Sequence, residues 1–166
     1  MKKVLVLDPM LCTGCRSCEM ECSLVKEGEC NPRISRIRVI SFKHDGIDLP
    51  ILCYHCSLPP CKEACPIEGA MTIDPNIGIV KINEELCIGC GKCLEACPFG
   101  AITLHPNKGK AIKCDLCDGT PKCIEFCTTK AIRYVDPEQI AMQKRMKYAS
   151  SITKPILTPK LYKLEV

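Results

Sequence analysis

Sixteen of the seventeen cysteines in this 166-residue chain stand in four short clusters, and this feature constrains folding more tightly than any other. The clusters read CTGCRSCEMEC (Cys12 to Cys22), CYHCSLPPCKEAC (Cys53 to Cys65), CIGCGKCLEAC (Cys87 to Cys97) and CDLCDGTPKCIEFC (Cys114 to Cys127). The first and third share the spacing C-x2-C-x2-C-x3-C. The second and fourth widen only the middle gap, to four and five residues. One motif is therefore repeated four times. With no Trp, three Phe and four Tyr, ordinary core material is thin. A chain of this length makes one compact domain or two small modules wound together. This one needs staples or metal for its cohesion.

Compartment decides between staples and metal. The start, MKKVLVLDPM, has too short an apolar run for a secretory leader, and no small-residue cleavage site follows. No stretch approaches the roughly 18 apolar residues of a membrane span. A cytoplasmic protein is expected, in which thiols stay reduced and clustered cysteines bind metal. The formal charge of +4 does not indicate nucleic-acid binding, because the basic runs at 33–43 and 144–147 lack interleaved aromatics.

The spacing selects the metal. A structural zinc site takes four tetrahedral ligands, usually from two well-separated C-x2-C pairs. Three thiols at i, i+3 and i+6 instead wrap one corner of a cube, giving one thiolate to each of three irons, while the fourth cysteine points away. The run C-x2-C-x2-C-x3-C-P is the bacterial iron–sulfur spacing, whose fourth cysteine serves the other cluster. Sixteen motif cysteines divide into four cubanes of four. At roughly −2 per oxidised cluster, the loaded protein is expected to carry about −4 rather than +4. A zinc-bound structural module remains the remote alternative.

Between the motifs lie short strands and turns. AMTI and IVKI flank DPNIG, and AITL and KAIK flank HPNKG, predicting two hairpins. VLVLD, ISRIRVISF and AIRYV read as further strands, the last without a return strand. CKEAC, CLEAC and CIEFC suit helical turns, and no long amphipathic helix is expected before residue 137. The fold class is α+β, with sparse secondary structure held by its sites.

At these residues the chain resembles the bacterial-type ferredoxins, and more closely the four-cluster iron–sulfur subunits of the dimethyl sulfoxide reductase type. CYHCSLPPCKEACPIEGAM, CIGCGKCLEACPFGAI and KCDLCDGTPKCIEFC carry the likeness, which covers about residues 4 to 135. It implies that the first motif pairs with the fourth and the second with the third. Cys12, Cys15, Cys18 and Cys127 would then hold one cluster, and Cys22, Cys114, Cys117 and Cys123 a second. Cys53, Cys56, Cys61 and Cys97 would hold a third, and Cys65, Cys87, Cys90 and Cys93 a fourth. An inner ferredoxin-like module, 51–106, would sit within an outer one built from 1–50 and 107–136. Thr128 and Ser23 stand where this family commonly has proline, a departure confined to the outer pair.

The resemblance further implies an electron-transfer subunit with no catalytic chemistry of its own, passing single electrons along four [4Fe-4S] clusters. Its partners would be a large catalytic oxidoreductase subunit containing tungsten-pterin, and a further donor or acceptor subunit or ferredoxin. The small subunits accompanying tungsten enzymes of the aldehyde ferredoxin oxidoreductase and benzoyl-CoA reductase family are the most similar. A free polyferredoxin, or a subunit of a hydrogenase, formate dehydrogenase or carbon monoxide dehydrogenase system, is the alternative.

Other residues carry narrower expectations. Cys30 is a free thiol in a loop. His55 either hydrogen-bonds a cluster sulfur or is a satisfied loop histidine. His44 and His105 are expected in solvent, and Asp115 and Asp118 as turn caps. Gly14, Gly89 and Gly91 allow close backbone approach, and Ile88 and Ile102 form a dry sleeve. No nucleophile–base pair or nucleotide loop stands out. Past Asp136, expected as an N-cap, residues 137–149 read as a helix with Pro137 in the first position. Residues 150–166 read as an extended partner-binding arm bearing Ile152, Ile156, Leu157, Leu161, Tyr162 and Leu164.

Overall fold

The computed structural model describes residues 3–161, with side chains as far as Ile152. Its elements run β1 (Val4–Leu7), α1 (Ser17–Glu27), β2 (Arg38–Phe42), β3 (Ile47–Ile51), α2 (Pro60–Glu63), β4 (Met71–Ile73), β5 (Val80–Ile82), α3 (Lys92–Ala96), β6 (Ile102–Leu104), β7 (Ala111–Lys113), β8 (Ile132–Val135) and α4 (Pro137–Leu161). Short 3-10 turns occupy Pro9–Leu11, Pro32–Ile34, Leu116–Gly119 and Lys122–Ile124. The architecture is the small mixed α+β fold expected, with every strand in a two-stranded pair.

The two predicted hairpins form and are built alike. Met71 pairs with Ile82 and Ile73 with Val80; Ile102 pairs with Lys113 and Leu104 with Ala111. In the first turn Asp74 Oδ1 accepts the N–H groups of Asn76 and Ile77 at 2.9 and 3.2 Å. In the second, His105 takes that role: its Nδ1 accepts from Asn107 and Lys108 at 3.2 and 3.3 Å. This corrects the expectation for His105, which is 4 % exposed. A ring nitrogen that satisfies a tight turn is buried by it, whereas His44 lies in solvent as expected.

Three further corrections concern elements. AIRYV does have a partner: β8 pairs with β1 from the far end of the sequence, and Asp8 N–H donates to the Ala131 carbonyl at 2.8 Å. β3 was not expected. It returns on β2 through the Asp45–Gly46 turn, with Val39 opposite Pro50, and a two-stranded edge tolerates the missing N–H. α1 is an eleven-residue helix closed by Gly28 at φ 77°. Its buried residues are Cys18, Glu19 and Ser23, so no aliphatic stripe advertises it.

Cysteines are built into the core. Cys61 and Cys93 are buried with Met71, Val80, Ile102 and Ala111, and Cys65, Cys87 and Cys97 pack against them. The inner faces of both hairpins thus close on the second and third motifs, and α2 packs against α3. Ile102 is 4 % exposed and lines one thiol-walled cavity, while Ile88 lines the other although 64 % exposed, so it covers its site from the surface.

The chain divides into two compact units, Val6–Arg133 and the two ends, Met1–Leu5 with Tyr134–Val166. All four motifs lie in the first. In the second, α4 starts at Pro137 as expected, with the Asp136 carbonyl accepting from Gln139 N–H at 3.0 Å. Through Leu161 the expected extended arm is instead helix. Pro155 and Pro159 each remove one N–H, but a φ near −65° is itself helical. The side chains of Ile156, Leu157 and Leu161, and all of Tyr162 and Leu164, lie outside the described residues. Ile152 is exposed.

Candidate functional site

Two cavities are each lined by four thiols drawn from two motifs. The first is bounded by Cys53, Cys56 and Cys61 of the second motif and Cys97 of the third, with Val80, Ile102 and Lys113 on its walls. The second is bounded by Cys65 of the second motif and Cys87, Cys90 and Cys93 of the third, with Met71, Ile82 and Ala111 around it. α2 and α3 produce this exchange. Each begins beside the third cysteine of its motif and carries the fourth one helical turn onward, into the other cavity.

The first and fourth motifs meet where α1 packs on the turn at Lys122–Ile124. Cys123 is raised foremost by burial, then by the nearby charges of Cys114, Cys22, Cys117 and Cys18. Cys12 and Cys15 act in the same way on Cys18. For Cys127, also buried, the described partner is Thr129 Oγ1 at 3.8 Å rather than a thiol of the first motif. The fourth motif coils through Leu116, Cys117 and Asp118, all at positive φ, into its longer spacer, with Asp115 Oδ1 accepting from Cys117 N–H at 3.0 Å. Asp115 is thus the turn cap expected. Asp118 instead pairs with Lys81 at 2.5 Å.

The sulfur atoms are dressed for negative charge. Main-chain N–H groups approach them at 3.4 Å: Arg36 at Cys22, Ala101 at Cys97, Ala111 at Cys87 and Leu116 at Cys114. Such bonds stabilise thiolate and tune a metal's potential. Burial works the other way on the bare chain. It pushes Cys93 up to about 11 and Cys18 and Cys114 up to about 12. Metal bound at these groups would have to displace their protons, which would couple loading to proton release. Among the described residues, no three His, Cys, Asp or Glu side chains converge as round one ion. A cube spreads its four thiolates over four irons and asks for this wider frame, so the residues present fit such a group.

The glycines of the motifs have the expected backbone, with Gly14, Gly89 and Gly91 at φ 66°, 71° and 81°. The close approach at Gly89 is to protein: a Cβ there would overlap the Gly109 carbonyl of the neighbouring hairpin. His55, at φ 49°, lines the first cavity. Cys30 is exposed and belongs to neither cavity.

Two buried charges were not singled out from the sequence. Glu19, 2 % exposed, accepts from Val39 N–H at 2.7 Å and its charge helps raise Cys18. Lys113, 5 % exposed, stands on the wall of the first cavity. Their positions next to cysteines were the only signal available.

Residues 45–137 match the 4Fe-4S dicluster domain family, and residues 9–25 match a 4Fe-4S binding domain. The chain belongs to the 4Fe-4S dicluster domain family. Over 111 residues it is 45 % identical to the polyferredoxin-like subunit of aliphatic sulfonate oxidoreductase from Pyrococcus furiosus, covering 67 % of this chain and 63 % of that protein. It is 36 % identical over 152 residues to the putative electron transport protein YsaA of Escherichia coli, covering 84 % of this chain and 94 % of that one. A chain of the active site complex BamBC of benzoyl coenzyme A reductase superposes with a TM-score of 0.48 and 23 % identity, over 96 % of this chain and 97 % of that one. This dicluster-family chain spans under two thirds of the length of the first curated relatives it matches. No helix among its described residues is long and apolar enough to cross a membrane.

Proposed function

We propose that this chain is a non-catalytic electron-transfer subunit holding four [4Fe-4S] clusters on its sixteen motif cysteines. Supplied by the bound clusters, the chemistry is one-electron oxidation and reduction. The observation that carries the reading is the pair of cavities, each bounded by three thiols of one motif and one of another. The assignment is therefore Cys53, Cys56, Cys61 and Cys97 for one cluster and Cys65, Cys87, Cys90 and Cys93 for the next. Cys22, Cys114, Cys117 and Cys123 serve a third, and Cys12, Cys15, Cys18 and Cys127 the fourth. The inner module is 51–106, set within an outer one of 1–50 and 107–136.

A linear order is proposed for the four sets, with that of Cys12, Cys15 and Cys18 at one end and that of Cys87, Cys90 and Cys93 at the other. The influence of Cys18 on Cys123, of Cys53 on Cys114 and of Cys61 on Cys93 is consistent with it. The only exposed motif thiols among the described residues are Cys15 and Cys90, one in each end set. This supports entry at one end and exit at the other, the interior sets having no fully exposed thiol.

A catalytic oxidoreductase subunit is the partner proposed for one end and a donor or acceptor subunit or ferredoxin for the other. The sulfonate oxidoreductase relative is itself named as a subunit, which supports a complex over a free shuttle. A tungsten-pterin enzyme is proposed for the catalytic partner, on the resemblance of the motifs, and cytoplasmic residence on the reduced thiols. Native purification without dissociating salt is the test. A large subunit travelling with the chain is expected; monomer alone would leave the free polyferredoxin.

A further inference from the structure

Lys113 is the last residue of β7 and immediately precedes the first cysteine of the fourth motif. It is 5 % exposed and lines the cavity of Cys53, Cys56, Cys61 and Cys97. Its Nζ donates to the Val80 carbonyl at 2.5 Å and the Cys114 carbonyl at 2.8 Å. Two of its three N–H groups are thereby held.

What sets this cation apart is the lack of a counter-charge. Asp115 and Asp118 border a polar cavity that Lys113 also touches, but each is already engaged: Asp115 with Lys26 at 2.5 Å, and Asp118 with Lys81 at 2.5 Å. Glu27 is taken by Arg36 at 2.9 Å and Lys108 at 2.8 Å. No carboxylate pairs with Lys113 among the described residues. The lining of the neighbouring cavity, around Cys65, Cys87, Cys90 and Cys93, has no lysine, arginine or carboxylate; the nearest cation is Lys110, half-buried, which donates to the Cys87 carbonyl from outside that lining. A buried charge acts through a low local dielectric and is screened little by salt. A cluster gains one negative charge on reduction, and cluster potential responds to local charge and hydrogen bonds.

We propose that Lys113 is a potential-setting residue: its buried ammonium, without a carboxylate partner, favours the reduced form of the cluster held by Cys53, Cys56, Cys61 and Cys97. This rests on the reading that a cluster occupies that cavity. The effect is expected to be largest on the cluster whose cavity Lys113 lines and smaller on the adjoining sets, since the same ammonium donates to the Cys114 carbonyl and Lys110 donates to the Cys87 carbonyl. The interior of the chain then contains a site where an electron rests in preference to its neighbour, and the lysine, rather than the cysteine pattern, creates that difference.

The test is an anaerobic redox titration followed by electron paramagnetic resonance on the full chain, with Lys113→Met, Lys113→Gln and Lys113→Arg. The signal of this cluster is identified as the one altered in Cys56→Ser. In the Met and Gln variants its reduced-to-oxidised ratio at fixed potential is expected to fall at least about tenfold, which is about 59 mV for a one-electron couple. The Arg variant should stay near wild type and the other midpoints should move less. An unmoved midpoint with iron content intact overturns the proposal, as does an equal shift in Met, Gln and Arg. If both neutral variants lose this cluster's iron while Arg retains it, the charge is again what matters. Loss from all three means the lysine serves shape alone, and the proposal fails. If Cys56→Ser alters neither iron content nor any signal, the cavity holds no cluster and the underlying reading fails instead.

Discussion

Cys97→Ser is expected to damage the cluster of the second motif and spare that of the third, to which Cys97 belongs in sequence. Cys97 is carried by α3 to the wall shared with Cys53, Cys56 and Cys61, while Cys87, Cys90 and Cys93 line the other cavity with Cys65. Ala101 N–H meets its sulfur at 3.4 Å, so the backbone already holds that atom in place. Serine offers a harder and more basic oxygen in that position. One cluster of four should be lost or altered, with iron falling from about sixteen toward about twelve per chain if it is lost. Spectra of three variants check this directly. The signal changed in Cys97→Ser should be the one changed in Cys56→Ser and should differ from that changed in Cys93→Ser. A match with Cys93→Ser would overturn the crossed assignment.

Gly89→Ala should be nearly as damaging, for a reason that involves no ligand. Gly89 lies between Cys87 and Cys90 at φ 71°, where an L side chain costs roughly 1–2 kcal/mol by itself. An added methyl would also run into the Gly109 carbonyl. That atom is backbone, anchored by Gly109 N–H donating to the His105 carbonyl at 2.8 Å, and cannot swing aside as a side chain would. Relief must come from shifting the loop that carries Cys87 and Cys90, which opens the frame of four thiols. Gly91→Ala is the control. Its φ is 81°, but an added Cβ would meet nothing within 4 Å, so only the conformational cost of roughly 1–2 kcal/mol applies. Iron content and thermal stability of the loaded protein should fall sharply in Gly89→Ala and modestly in Gly91→Ala. Equal losses would show that the contact with Gly109 is immaterial.

The parts of this chain that were legible in the sequence are those written in residue types with one dominant physical meaning. Cysteine spacing announced metal frames, and Asp-Pro-Asn and Gly marked the turn between β4 and β5. The second hairpin was legible because HPNKG copies DPNIG. That same copy held an overlooked clue, since a histidine standing where its counterpart has aspartate must accept the turn's N–H groups and be buried by them. α1 escaped detection because its inner face is Cys18, Glu19 and Ser23 rather than aliphatic. β3 contains Asp48 and Pro50, which argue against a strand unless it lies at an edge. β8 needed β1, more than a hundred residues earlier, and pairing at that range leaves no local trace. α4 passed two prolines because a proline weakens a helix without forbidding it. Lys113 and Glu19 were hidden because charges are ordinarily solvated, and only the fold shows which ones are not.

Iron, acid-labile sulfide and zinc, measured together on anaerobically purified protein, test the central claim most directly. Four cubanes on crossed sets of thiols predict roughly sixteen iron and sixteen sulfide per chain with zinc near zero. Zinc at a few atoms per chain with no sulfide would contradict the account outright.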